Sequence, residues 1–436
     1  MKVVFVKPNM IAGTPGDSME PLVFALLSSL TPPNIERRLY DERMEPIPFD
    51  EPADLAAITV DVFTARRAYQ IAAAFRARGV PVVLGGFHPS LCPDEAGRHA
   101  DSVVIGDAED TWPRLLADAR RGTLRSRYVS AFPEPSRRPP DRAIYRGKHY
   151  APVCLVEMNR GCRHACEFCS IHAMYRGRVR RRPLADVLHD LDARGRKHVF
   201  FTDDNLYADP ASLDALLSAL EGRRISWTCQ ISLDAARDPT LAARMAAAGY
   251  TCVLFGIESL DRRNRDRMGK SWMADDSAGI IRVFQEAGIM VYGTFIVGYD
   301  QDDAGVFDRL LKFSTEQRLF LANFNPLMPM PGTALYRRLH SEGRLLFDRW
   351  WLDEGFRWGE CAFQPRLMTP RELSDGCRRI RAEFNSTRSI LRRFPGVPLR
   401  RTRPLRAGLF VAANLISRKE LWRKYGKPLG QPASSQ

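Results

Sequence analysis

No stretch of this 436-residue chain stays apolar for the roughly 18–20 residues that a bilayer span requires. The nearest approach, residues 409–416, is far too short. The N-terminal MKVVFVKPNM lacks the apolar core and small-residue cleavage site of a signal peptide, so it reads as a short strand. A disulfide framework is missing too: the nine cysteines are odd in number and scattered, which points to a reducing compartment, the cytosol by default. There is no repeat of solenoid type, and no Ser-His-Asp or paired-carboxylate constellation. Acidic side chains are in deficit, 51 against 65 Lys and Arg, leaving a formal charge of +14. A basic surface attracts phosphate whatever its sequence. The arginines are widely spread, however, and the densest clusters, residues 178–182 (RVRRR) and 378–427, lack the interleaved aromatics of a base-stacking platform. The charge therefore reads first as solvated surface and second as a match for anionic lipid or a phosphorylated substrate. No nucleic-acid partner is expected.

Length and a 45% hydrophobic composition allow at least two cores. Over the first 120 residues, apolar runs at 3–6, 38–40, 55–60, 80–84 and 102–105 read as buried strands. Helical patterns at 20–29, 64–78 and 110–121 lie between them. That alternation predicts a Rossmann-like, doubly wound parallel sheet, with any ligand beyond the carboxyl ends of its strands. Residues 132–141 (FPEPSRRPPD) are proline-rich and polar, which suggests a linker. A second alternation follows, with strands near 154–158, 198–202, 225–231, 252–257, 291–297 and 319–324, and helices near 184–194, 210–221, 239–248, 275–287 and 303–315. Six β/α units make a partial TIM-type barrel. After about residue 333 the pattern turns helical and ends in a basic, amphipathic stretch at 406–425 and a frayed-looking PLGQPASSQ. The expected domains are 1–125, a linker at 126–150, the barrel at 151–345 and a helical region at 346–436.

The decisive string is RGCRHACEFC, in which Cys162, Cys166 and Cys169 stand in a Cys-x₃-Cys-x₂-Cys spacing after the barrel's first strand. Three thiolates suit a 4Fe–4S cube and leave one iron without a protein ligand. A zinc site would need a fourth ligand, such as His164 or His172, and an electron-transfer ferredoxin a fourth cysteine in register. The motif resembles that of the radical S-adenosylmethionine (SAM) superfamily. The resemblance implies that the open iron chelates SAM and that reductive cleavage yields a 5′-deoxyadenosyl radical. It further implies that Phe168 lies near the adenine, that the strand end FFTDDN (Asp203, Asp204 and Asn205) faces SAM or substrate, and that Glu258 and Ser259 of FGIES contact the ribose or amino group. Gly293 and Gly298 of GTFIVG resemble the strand laid against the adenine, and PMPGT at 329–333 resembles the loop closing such barrels. Singly these strand ends are weak signals, since an acid after a strand also caps helices. Cys154, Cys229 and Cys252 fall in predicted strands and read as small buried hydrophobes, so no second cluster is expected of them with Cys361.

Residues 38–106 resemble the cobalamin-binding domain that precedes the barrel in one branch of that superfamily. Gly85, Gly86 and His88 of GGFHP, and Gly106 of GDAE, carry the likeness, because glycine lets backbone approach a bulky ligand closely. The Asp-x-His-x-x-Gly motif that ligates cobalt in many such domains is absent, residues 40–46 reading YDERMEP. The resemblance therefore implies either cobalamin without a histidine ligand or a domain that holds none. His88 and His99 are not cobalt-ligand candidates. The branch resembled includes anaerobic magnesium-protoporphyrin monomethyl ester cyclase and hopanoid-modifying enzymes. It implies cobalamin-dependent C-methylation of an unactivated carbon on a hydrophobic, lipid-like or tetrapyrrole substrate, with a flavodoxin- or ferredoxin-type reductant. The alternatives are radical cyclisation, desaturation or C–C coupling without methyl transfer, and a non-catalytic iron–sulfur carrier. Contact with the inner face of a membrane through residues 406–425 is a further expectation.

Overall fold

Two parallel six-stranded sheets organise the chain in the computed structural model, which describes all residues except 12, 15–18, 195–197, 274, 397–402 and 431–436. The first sheet comprises β1 (Lys2–Lys7), β2 (Glu36–Asp41), β3 (Leu55–Thr59), β4 (Val82–Gly85), β5 (Ser102–Ile105) and β6 (Arg127–Val129), in the order 2-1-3-4-5-6. Alternate side chains of one strand enter opposite cores, as a two-residue period requires. Val4 and Val6 pack with Ile58, Leu84 and the helix Ala65–Arg76. Val3 and Phe5 pack with Ala57, Val83 and the helices Leu22–Leu30 and Trp112–Arg120. Helices thus cover both faces, and the order reverses between β1 and β3, where a doubly wound sheet opens its ligand crevice.

The stretch read as a linker is built into this unit. β6 pairs with β5, the Tyr128 and Tyr145 rings lie in the first domain's core, and Asp141 accepts a hydrogen bond from Ser28 (2.6 Å). Tyrosines on a polar, proline-rich background carry too little periodicity to be recognised as core from sequence.

The second sheet runs β7 (Cys154–Val156), β8 (His198–Phe201), β9 (Ser226–Ile231), β10 (Tyr250–Glu258), β11 (Met290–Val297) and β12 (Leu321–Pro326), neighbours in space being neighbours in sequence. This is the open parallel barrel that the six β/α units predict. The helices Pro370–Phe384, Thr387–Arg393 and Arg403–Lys424 close its β12 side. The loop between them and the barrel returns to the first domain, where Trp350, Trp351 and Phe356 complete the core beside Val6 and Ile58. The C-terminus is less frayed than its composition suggests. Gly430 bridges to Ile11, Pro428 to Arg357, and Leu429 is buried, while the rest of PLGQPASSQ lies outside the described residues.

Candidate active site

The three cysteines sit in one loop between β7 and the helix Ser170–Tyr175. Its entry is fixed by a two-residue antiparallel ladder, Asn159–Arg160 against Arg180–Arg181. At the turn, Gly161 has φ +95°, and a Cβ there would overlap the Arg178 carbonyl oxygen, so only glycine fits. Burial pushes the Cys166 thiol up to about 12 and Cys169 up to about 11, and it raises Cys162 as well. Opposing it, the His164 amide and the Asn205 side chain donate to Cys162, and the Ile171 and His172 amides to Cys169. The thiols sit close enough to raise one another's pKa. Soft donors that are desolvated, mutually adjacent and supplied with N–H groups release their protons when metal binds, which fits an iron–sulfur cluster. Among the described residues no three His, Cys, Asp or Glu side chains converge on a single-ion site. Thiolates that each serve a different iron of a cube have no need to converge so closely.

The strand end at β8 holds this loop. Buried Asp203 accepts the amides of Met158 (3.0 Å) and Asn159 (2.5 Å), Asp204 accepts that of Gly161 (2.8 Å), and Asn205 Nδ2 lies 3.7 Å from Cys162 Sγ. Burial lifts Asp203 to about 8 and Asp204 to about 6 against the pull of those amides. From β10, Glu258 enters with φ +62° and pairs with Lys270 (2.9 Å), which also donates to the Gly256 carbonyl and stands 5.9 Å from the Phe168 and Trp272 ring centres. Burial works against the Lys270 charge, but the Glu258 carboxylate holds its pKa above the ordinary lysine value. Ser259 is buried, and its hydroxyl accepts the Asp261 amide. Gly293 and Gly298 are explained by packing, since a Cβ would meet Leu319 at 2.9 Å and Leu373 at 2.5 Å. The PMPGT loop ends in Thr333, which caps Ala334–Ser341, and this helix clamps the cluster loop through Arg338 and Glu167 (2.8 Å).

A cavity of about 580 Å³ separates the two sheets and is lined by the carboxyl ends of both. Val60, Gly86, Gly106 and Glu109 come from the first sheet, and Glu157, Arg160, Thr202 and Asp204 from the barrel. Gly86 and Gly106 have positive φ, and a Cβ would strike the Val60 carbonyl (2.7 Å) and Ser130 Cβ (2.8 Å) respectively. Gly85 lines the cavity in an ordinary conformation. His88 differs from expectation: it points into the first domain's core, where its Nε2 lies 2.9 Å from Glu95 and 3.1 Å from Tyr69, and His99 stacks on Tyr69. On a helix beginning at Phe87, the next side chain turns about 100° away, so GGFHP puts its phenylalanine on the cavity and its histidine behind.

Sequence reasoning missed the residues that join the halves. Arg160, two positions before Cys162, pairs with Asp107 (3.0 Å) and Glu109 (2.9 Å) of the first domain and with Glu157 (2.7 Å) of the barrel. Arg180 also pairs with Asp107. Lys270 was missed for the same reason: its partners are distant in sequence, and the only local hint is a lysine among Met268, Trp272 and Met273.

Residues 156–313 match the radical SAM superfamily profile. The chain is 30% identical over 355 residues to the bacteriochlorophyllide d C-8(2)-methyltransferase of Chlorobaculum tepidum, covering 76% of this chain and 78% of that protein. It is 27% identical over 394 residues to the C-12(1)-methyltransferase of the same organism, with 87% and 85% covered. The fold is shared with the cobalamin-dependent SAM radical enzyme OxsB, solved with aqua-cobalamin and SAM bound (TM-score 0.65, 15% identity, 96% of this chain and 72% of that one).

Proposed function

The chain belongs to the radical SAM superfamily, and from that premise we propose that it is a cobalamin-dependent methyltransferase acting on an unactivated carbon of a hydrophobic substrate. The observation that carries this reading is the single cavity onto which the first sheet and the cluster-bearing barrel both open their carboxyl ends. Cys162, Cys166 and Cys169 would hold the 4Fe–4S cluster, with Phe168, Glu258 and Ser259 on the SAM side. Gly85, Gly86 and Gly106 would let backbone approach the corrin. When bound, the cluster and SAM supply a hydrogen-abstracting radical and cobalamin supplies the methyl group.

The chain's own task is to position and to exclude water. Asp203 and Asp204 fix the cluster loop through its amides, Asn205 donates to a ligand sulfur, and Arg160 ties that loop to the cofactor-facing loop at Asp107 and Glu109. Among the described residues no histidine lines the cavity, so the backbone at Gly85, Gly86 and Gly106 is what would hold cobalamin there. The apolar wall from Met19, Leu22, Val23, Phe24 and Leu26 suits a lipid-like or tetrapyrrole substrate, consistent with relatives named for bacteriochlorophyllide.

The test is to incubate reconstituted, reduced enzyme and cobalamin with a chlorin-type tetrapyrrole and methyl-deuterated SAM. Deuterium in the product supports methyl transfer. A product without deuterium points to cyclisation or desaturation, and failure to release 5′-deoxyadenosine from SAM would leave a non-catalytic iron–sulfur protein.

A further inference from the structure

The middle of the helix Arg403–Lys424, residues 407–417, departs from the amphipathic pattern expected of 406–425, because it is apolar on both its packed and its exposed side. One side packs on the barrel. Phe410 joins Ile390, Met290, Phe320 and Cys252 in a small core, and Asn414 bonds the Phe320 carbonyl (3.1 Å). Fully buried Arg393 locks the contact, donating to the carbonyls of Leu319 (2.7 Å) and Phe384 (2.8 Å) and to Asn414 (2.8 Å). The opposite side faces solvent and carries Leu409 (48% exposed), Leu415 (50%), Ile416 (62%) and Trp422 (58%), with Leu391 (67%) on the adjoining helix. Residues 407–417 contain no charge at all. A helical segment apolar all round belongs in an interior, so an exposed apolar face held against the barrel in this way calls for something that covers it.

Charge identifies the cover. The one acid of residues 386–427, Glu420, is paired with Arg423 and Lys424. Arg388, Arg392, Arg418 and Lys419 are exposed beside the apolar face. A second copy of the chain is a poor fit, since a two-fold interface would set this cationic patch against itself. An acidic electron donor is also a poor fit. The patch covers the amino-terminal ends of β10 to β12, whereas the cluster loop lies at the carboxyl ends, and the eight residues of β11 alone separate the two by about 26 Å. We propose that this face docks on an anionic lipid bilayer, with Leu415, Ile416 and Trp422 entering the acyl boundary and the flanking arginines and lysines meeting the headgroups. No helix among the described residues is long and apolar enough to cross a membrane, so the contact is peripheral.

The test uses full-length reconstituted protein and no radical chemistry, so it stands or falls separately from the proposed reaction. The protein is sedimented with vesicles of phosphatidylcholine alone or mixed with phosphatidylglycerol. Co-sedimentation with the mixed vesicles only, weakened by salt, is the expected result, together with a blue shift of tryptophan emission that Trp422→Phe removes. Ile416→Glu and Leu415→Glu, both at exposed positions, should each weaken binding about tenfold or more, with circular dichroism and iron content unchanged. Absence of pelleting with anionic vesicles, or pelleting indifferent to both substitutions, overturns the proposal. So does a dimer that Ile416→Glu dissociates in protein that ignores vesicles.

Discussion

Replacing Gly161 by alanine should empty the cluster site while leaving the protein folded. At φ +95° an L-residue costs roughly 1–2 kcal/mol for a left-handed conformation alone. The new Cβ also overlaps the Arg178 carbonyl oxygen, and regaining a van der Waals separation moves the backbone by roughly 1 Å. That shift opens the Arg160–Arg180 pairing and pulls the Gly161 amide off the Asp204 carboxylate, a hydrogen bond to a charged group worth about 1.5–3 kcal/mol. Together about 3–5 kcal/mol falls on the residue next to Cys162, which converts to a loss of about 100-fold or more in cluster affinity. Iron and sulfide per chain after anaerobic reconstitution, with circular dichroism as the folding control, are the assay. Gly222→Ala is the comparison: its φ is +77°, nothing lies within 4 Å of the added Cβ, and it should keep its cluster. Full iron content and undiminished 5′-deoxyadenosine release in Gly161→Ala would refute the reasoning.

Alanine at Cys162, Cys166 or Cys169 should abolish the cluster absorbance and SAM cleavage, whereas Cys252→Ala should leave both unchanged. Asp203→Ala strands two buried amides at about 1–3 kcal/mol each and should lower both the melting temperature and iron retention. Because burial raises Asp203 from 3.8 to about 8, the folded state keeps a proton that the unfolded chain has released. Its contribution to apoprotein stability should therefore fall as pH rises from about 4 to 8, a slope missing in Asp203→Asn when urea unfolding is followed across that window. Lys270→Met leaves buried Glu258 without its partner and should destabilise by about 3–5 kcal/mol. Adding Glu258→Gln should recover much of that in thermal melts, and no recovery would mean that the pair is not coupled.

What could be read in advance follows the range of the interactions concerned. The β/α alternation of the barrel was legible because each strand and helix repeats its own period, and observed bounds such as His198–Phe201 and Ser226–Ile231 lie close to the expected ones. β6 was not, because a three-residue strand just ahead of a proline-rich segment has no period to show. The acids after β8 were recognisable as a polar strand end. Their bonds to Met158, Asn159 and Gly161 could not be seen, since those amides lie more than forty positions away.

The sequence by itself determined the three-cysteine loop, the two alternating α/β units and the absence of a fourth cluster cysteine in register, because these rest on spacing and composition within short windows. Tertiary structure alone decided that Arg160 bridges to Asp107 and Glu109, that Lys270 neutralises Glu258, and that His88 turns from the cavity into the core. It also decided that the last long helix keeps an apolar face in solvent. Each of these is a pairing or an exposure between segments that only folding brings together, and desolvation, which sets the strength of every such charge contact, has no value until the neighbours are in place.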